Sequence, residues 1–114
     1  MWRDESLILD IVHSANRIID YTIGLGVETF EHDEQLQDSV IRRIGIIGEA
    51  ARLLSEETKA SIPDIEWSEI IGMRNVLIHD YRHIRMSRVW DVVQHDIPKL
   101  IEKLEPLIRK PPKP

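Results

Sequence analysis

The spacing of apolar residues between positions 33 and 55 constrains the fold of this chain more than any other feature. Apolar side chains recur there every three or four residues, at Leu36, Val40, Ile44, Ile47, Ala51 and Leu54. This period places them on one face of an α-helix. The pattern therefore predicts a long amphipathic helix over residues 33–55, whose apolar face must be covered by other helices.

Three further segments show the same period and predict three more helices. The first spans residues 5–23 and ends at Gly24 and Gly26, and the second spans residues 67–78. The last begins after Ser87 as N-cap and continues to residue 107, with a kink or a break at Pro98. A short extra helix is expected over residues 27–30. Because no strand-like alternation is sustained, we predict an all-α fold, an antiparallel up-and-down bundle of four to five helices.

Two glycines lie inside the longest predicted helix, at Gly45 and Gly48. A glycine in a helix interior costs up to about 1 kcal/mol relative to alanine. We therefore expect both positions to let a neighbouring helix approach closely.

Length and composition fit one small domain. The chain has 114 residues, 42% of them hydrophobic and none of them cysteine. We expect a single domain over residues 1–108 and a disordered, basic, proline-rich tail over residues 109–114. The first ten residues do not resemble a signal peptide, and no apolar stretch approaches the roughly 20 residues of a membrane span. These features predict a soluble cytoplasmic protein that does not enter a membrane.

The charge distribution is uneven along the chain. A formal net charge of -5 argues against a protein that coats nucleic acid by bulk electrostatics. Between positions 74 and 88, however, four arginines face one aspartate, which gives a local balance of +3: Arg74, Arg82, Arg85 and Arg88 against Asp80. This segment predicts a local anion-binding surface.

The same segment brings together side chains that can perform chemistry on a phosphodiester. Arg74, Asn75, His79 and Tyr81 lie within eight residues at the end of a predicted helix. On a continuous helix Arg74 and His79 are about 140° apart, so they are not direct neighbours. Either the helix end unwinds, or a second copy of the chain completes the site.

Metal-free cleavage of RNA requires a base for the ribose 2'-hydroxyl, an acid for the leaving 5' oxygen and a cation for the charge on phosphorus. Histidine titrates near neutral pH and can transfer these protons. Arginine presents a planar pair of donors that matches phosphate oxygens. If two chains pack with these helix ends facing each other, both copies of Arg74 and His79 line one cleft.

The residues R-N-V-L-I-H-D-Y at positions 74–81 resemble the R-x(4-6)-H signature of HEPN domains, in the R-x4-H-x-Y form of HepT-like toxins. The segments at 67–73, 46–51 and 89–90 are also similar to that family, so the resemblance covers residues 4–107. It implies a homodimeric endoribonuclease that needs neither a metal nor another cofactor. The resemblance further implies that Arg74 and His79 are catalytic and that Asn75 assists them.

The resemblance also implies a regulatory partner. HepT-like toxins are encoded beside a minimal nucleotidyltransferase antitoxin, which attaches AMP to the motif tyrosine, here Tyr81. Added phosphate charge beside Arg74 and His79 would occupy the position of the RNA phosphate, which gives inhibition a physical cause. The implied partners are thus a transfer or messenger RNA, the antitoxin and a second copy of the chain, as in a type VII-like toxin-antitoxin pair.

Several alternatives remain open at the level of sequence. Arg74 can serve as a structural ion pair with Glu49 or Glu69, and a histidine is also favourable at a helix C-terminus. Glu49 can belong to the RNA-binding site or pair with Arg42, Arg43 or Arg52. Arg82, Arg85 and Arg88 can guide RNA phosphates or lie in a solvated turn.

Two further alternatives concern the function itself. His79 and His83 are one helical turn apart and, with Asp80, form a candidate metal site. The chain can also be a non-catalytic helical adaptor that binds a nucleotidyltransferase or a nucleotide.

Overall fold

A computed structural model of the chain describes residues 3–80 and 84–108. Within these ranges the fold consists of helices and turns and contains no strand, which confirms the predicted all-α class. The α-helices are α1 (Arg3–Thr22), α2 (Val27–Glu31), α3 (Glu34–Leu53), α4 (Glu56–Ser61), α5 (Trp67–His79), α6 (Met86–Asp91) and α7 (Ile97–Leu104).

The long helices pack into a bundle around one core. Helix α3 packs against α1 and α5, and α1 also packs against α7. Ile11, Ile18, Ile47 and Leu100 are almost completely buried between these helices. The apolar faces predicted from the sequence therefore cover one another.

A buried polar cluster fixes the start of α1 to the end of α3. The Asp4 carboxylate is 3% exposed and accepts hydrogen bonds from the Ser55 backbone N–H at 3.2 Å and the Ser55 hydroxyl at 2.6 Å. The Thr58 hydroxyl of α4 also donates to it. Because the first turn of α1 meets the residue just beyond α3, the two helices run antiparallel.

Helix α3 begins one residue later than predicted, and its start is capped. The Asp33 carboxylate accepts a hydrogen bond from the Leu36 backbone N–H at 3.0 Å. The expected short helix after Gly26 is present as α2, where Phe30 is buried against Trp90 with ring centroids 5.3 Å apart. Helix α4 was not predicted, because its six residues are too few to show a helical period.

The C-terminal helix differs from the prediction at two points. Arg85, not Ser87, is the N-cap residue of α6, because the Arg88 and Val89 backbone N–H groups donate to the Arg85 carbonyl. A π-helical turn, Val92–Asp96, then separates α6 from α7 and places Pro98 in the first turn of α7. The helix does not break at Pro98 itself. Its register changes just before the proline, in the π-helical turn.

Two groups of residues named above lie outside the described ranges. These are Tyr81, Arg82 and His83, and the predicted tail over residues 109–114. Among the described helices, none is long and apolar enough to span a bilayer.

Candidate active site

Helix α5 continues without interruption to His79. The backbone N–H of Asp80 donates to the Val76 carbonyl at 2.7 Å, so the last turn of the helix is closed. Of the two alternatives for bringing Arg74 and His79 together, unwinding of the helix end before His79 is therefore wrong. In a single chain the two side chains leave α5 in different directions.

Arg74 lies where α5 and α3 approach most closely. A Cβ atom placed on Gly48 would be 2.2 Å from the Cβ and 2.7 Å from the Cγ of Arg74. Only glycine leaves room for this contact, which confirms the expectation for Gly48. The same expectation for Gly45 is wrong, since no described atom lies within 4 Å of a Cβ placed there.

Two neighbours hold the Arg74 guanidinium in one orientation. Its Nη2 pairs with the Glu49 carboxylate at 3.0 Å, and its Nη1 donates to the Asn75 side-chain oxygen at 3.0 Å. Its Nε is buried and has no hydrogen-bond partner among the described residues. Each terminal nitrogen carries a second N–H donor, so the guanidinium can still bind an anion while these two bonds persist.

Glu49 links this arginine to a second one on α3. Its carboxylate also accepts hydrogen bonds from Arg52, at 2.7 Å and 3.2 Å. The hydrogen bond from Arg52 holds the pKa of Glu49 below its usual value against the opposing effect of burial, and the charges of Arg52 and Arg74 act in the same direction. Glu49 therefore stays ionised at neutral pH and pairs with Arg52 and Arg74.

His79 lies exposed at the C-terminal end of α5. Its neighbours one turn back are Asn75 and Val76, which are also exposed. Ile78, next to it, is a large apolar side chain that remains 51% exposed. The candidate proton-transfer group is thus freely accessible, beside an apolar surface.

Two grooves flank this end of α5. The first, which we term the α3 groove, lies between α1, α3 and α5, encloses about 470 Å³ and is lined mainly by apolar residues, including Leu7, Ile46, Leu53 and Ile78. Glu49 also lines it. No local sequence pattern indicates this groove, because its residues come from three distant segments.

The second groove, which we term the α5–α6 groove, lies on another side of α5. Arg85 and Arg88 line it, and neither forms an ion pair within the described residues. Tyr81 and Arg82 lie outside the described ranges, as does His83 of the alternative metal site. Among the residues that are described, no group of three or more His, Cys, Asp or Glu side chains could hold a metal ion.

The sequence model of one protein family, described as "Ribonuclease HepT-like", matches residues 11–107. This chain belongs to the HepT-like ribonuclease family. The match spans all of α2 to α7 and most of α1, and it therefore includes Arg74, His79, the α5–α6 groove and all of the α3 groove except its α1 residues Leu7 and Asp10. The resemblance inferred from the R-x4-H-x-Y motif is confirmed.

Individual relatives agree with this assignment. A Methanocaldococcus jannaschii protein named "Putative RNase MJ1380" is 34% identical over 101 residues, which cover 89% of this chain and 93% of the relative. A Thermococcus cleftensis protein named "Probable ribonuclease HepT" is 37% identical over 98 residues, or 86% of this chain and 89% of the relative. No solved structure is significantly similar to the chain.

The contact between Gly48 and Arg74 predicts opposite effects for two glycine substitutions. Gly48→Ala forces the α3 and α5 backbones apart and should lower the free energy of unfolding by about 1–3 kcal/mol. Gly72→Ala, on the neighbouring helix, meets open space and should raise it by roughly 0.5–1 kcal/mol. Urea unfolding followed by circular dichroism measures both, and equal stability of the two variants would contradict the close approach.

Proposed function

We propose that this protein is a metal-independent endoribonuclease toxin in which Arg74 and His79 are the catalytic residues and Asn75 assists by positioning Arg74. The observation that carries the proposal is the fixed Arg74 guanidinium on the same uninterrupted helix as the exposed His79. Membership of a ribonuclease family supplies the class of reaction.

The two residues divide the chemistry. The ribose 2'-hydroxyl attacks phosphorus, the bond to the 5' oxygen breaks, and the products are a 2',3'-cyclic phosphate and a 5'-hydroxyl. His79 takes the proton from the 2'-hydroxyl while water protonates the leaving 5' oxygen, or, if it starts protonated, it gives its proton to the 5' oxygen while water accepts that of the 2'-hydroxyl. Arg74 stabilises the negative charge that develops on the phosphoryl oxygens.

The way in which the Arg74 guanidinium is held favours a catalytic role over a purely structural one. Glu49, Asn75 and the close backbone at Gly48 together fix the guanidinium before any substrate binds. Such preorganisation is what transition-state stabilisation requires.

A second copy of the chain would bring the catalytic residues together. Arg74 and His79 lie on different sides of α5, and the helix is continuous, so one chain alone does not place both around one phosphate. The apolar α3 groove and the exposed Ile78 lie next to both residues and offer a surface that a second copy can cover. We therefore propose a homodimer with a composite cleft.

The remaining candidate residues contribute less directly. Arg85 and Arg88, with Arg82, are proposed to hold RNA phosphates that flank the cleft. Glu49 acts on RNA only through Arg74, as a positioning residue. The single domain over residues 1–108 provides the helices for all of these groups.

Cleavage should persist in EDTA and depend on His79. His79→Ala should lower the cleavage rate by about 10²- to 10⁴-fold, because the proton-transfer group is lost. His95→Ala removes a histidine that is equally exposed but lies on the π-helical turn, and it should retain activity. The assay is gel separation of a labelled single-stranded RNA, with the ends tested for a cyclic phosphate.

Two results would contradict this mechanism. Cleavage that disappears in EDTA would argue against the metal-independent reaction. A protein that binds RNA or a nucleotidyltransferase without cleaving RNA would instead support the adaptor alternative.

Mixing two inactive variants tests the composite cleft. If Arg74 of one chain acts with His79 of the other, a heterodimer of Arg74→Ala and His79→Ala contains one intact site. Random exchange in a 1:1 mixture makes about half of the dimers heterodimers, each with one of its two sites intact, so the mixture should recover up to about a quarter of the wild-type activity. If both residues act within one chain, no mixture recovers activity, and the composite cleft is wrong.

The proposed regulator is a nucleotidyltransferase that attaches AMP to Tyr81, two residues beyond His79. Co-expression with such an enzyme should add one or more AMP units and suppress RNA cleavage, because the added phosphate competes for Arg74. The chain has two tyrosines, so Tyr21→Phe is a matched control for Tyr81→Phe. Intact-mass measurement should show the modification on wild type and Tyr21→Phe alone, and modification of Tyr81→Phe would refute the assignment.

A further inference from the structure

The α5–α6 groove is a pocket of suitable size next to the proposed catalytic residues. It encloses about 580 Å³, which falls in the range of small-molecule binding sites. Val76 and Asp80, which line it, lie three residues before and one residue after His79. Because side chains three apart on a helix have Cβ atoms about 5–6 Å apart, the groove reaches the last turn of α5 next to His79, although His79 itself does not line it.

Half of the described residues that line the groove are apolar, and we term these its floor. Gly72, Met73, Val76 and Ile84 form it. No described atom lies within 4 Å of a Cβ placed on Gly72, so the helix backbone itself is open to the groove. Methionine sulfur makes favourable contacts with aromatic rings. A planar aromatic ring can therefore lie against this floor.

The rim of the groove carries charges of both signs. Arg85 and Arg88 are exposed cations, and Glu69 near the start of α5 and Asp80 at its end are exposed carboxylates. Within the described residues Arg85, Arg88 and Glu69 form no ion pair. Two cations suit phosphate groups, whereas a carboxylate accepts hydrogen bonds from amino groups.

We propose that the α5–α6 groove binds the base of the nucleotide next to the cleaved phosphodiester and selects bases that carry an exocyclic amino group. The base lies on the Met73 and Gly72 floor, Glu69 accepts a hydrogen bond from its amino group, and Arg85 and Arg88 hold the adjoining phosphates. This inference rests on the proposed ribonuclease function and gives that site a base preference.

A nucleotide of single-stranded RNA is the occupant that fits all of these features. Unpaired bases bind proteins by stacking and by hydrogen bonds along their Watson–Crick edges, while arginines contact the backbone. A purely apolar helix from a partner protein would leave the two arginines without counter-charges. The groove therefore matches the mixed chemistry of a nucleotide, with an apolar ring, donors on its edge and an anion attached.

Binding of two matched mononucleotides tests the groove independently of cleavage. CMP and UMP differ at the pyrimidine edge, where an amino group replaces a carbonyl oxygen. Titrated into His79→Ala protein, CMP should shift the methyl NMR signals of Met73, Val76 and Ile84 and bind about tenfold more tightly than UMP, the effect of one hydrogen bond to a charged group. Glu69→Gln offers an amide donor to UMP and should reduce this ratio to about one.

Cleavage of a randomised RNA oligonucleotide tests the base preference. Sequencing of the fragment ends from wild type should show uracil disfavoured by about tenfold at one position beside the cut. Gly72→Leu fills the floor and should abolish this preference. Ser68→Leu places the same side chain on an exposed position of α5 outside the groove and should leave the preference unchanged.

The two experiments separate the possible failures. Equal affinities for CMP and UMP, or NMR shifts confined to residues outside the groove, would overturn the groove assignment even if the protein cleaves RNA. An unchanged preference in Gly72→Leu would overturn it as well. If CMP binds in the groove as described but wild type cleaves no RNA, the groove is supported and the proposed ribonuclease function fails.

Discussion

The close approach of α3 and α5 at Gly48 is the constraint on which the candidate site depends. It brings Arg74 against the α3 backbone, within reach of Glu49, and leaves its Nε buried without a partner among the described residues. Any larger side chain at position 48 would separate the helices and release the guanidinium. Gly48, which has a hydrogen atom where alanine has a methyl group, therefore allows the Arg74 guanidinium to be held in one orientation. The cost of glycine inside a helix, up to about 1 kcal/mol, is offset by this positioning.

Continuity of α5 divides the site into two parts that face different neighbours. Arg74 faces α3 and its carboxylate, whereas His79 faces solvent at the helix end. A helix that frayed before His79 could bring the two closer, but the closed last turn prevents this. This geometry separates Arg74 from His79 within one chain. In the proposed symmetric dimer, Arg74 of each chain would act with His79 of the other. The exposed Ile78 and the apolar α3 groove form the surface that we propose a second copy covers.

The fold was largely predictable because helical periods are local properties. The apolar stripes of α1, α3 and α5 predicted helices that agree with the structure to within a few residues, and Gly24, with a φ of 78°, ends α1 as expected. The sequence-based predictions were wrong where two local patterns compete, and they missed a helix that is too short to show a period. Ser87 is a good capping residue, yet the N-cap of α6 lies two residues earlier, at Arg85. Helix α4 is held by the Asp4 cluster, a contact 51 to 54 residues distant in sequence that no local pattern indicates.

The sequence by itself determined the helical class and the family and indicated the candidate reactive side chains, because periodicity and the spacing of Arg74, His79 and Tyr81 are properties of neighbouring residues. It left open whether Arg74 pairs with Glu49 or Glu69, and it predicted a close helix approach at Gly45 as well as at Gly48. Only the tertiary structure decided these points, in favour of Glu49 and Gly48. It also created both grooves, whose walls come from separate helices. The physical reason is that helix pairing depends on side-chain packing over the whole bundle, which adjacent residues in the chain do not specify.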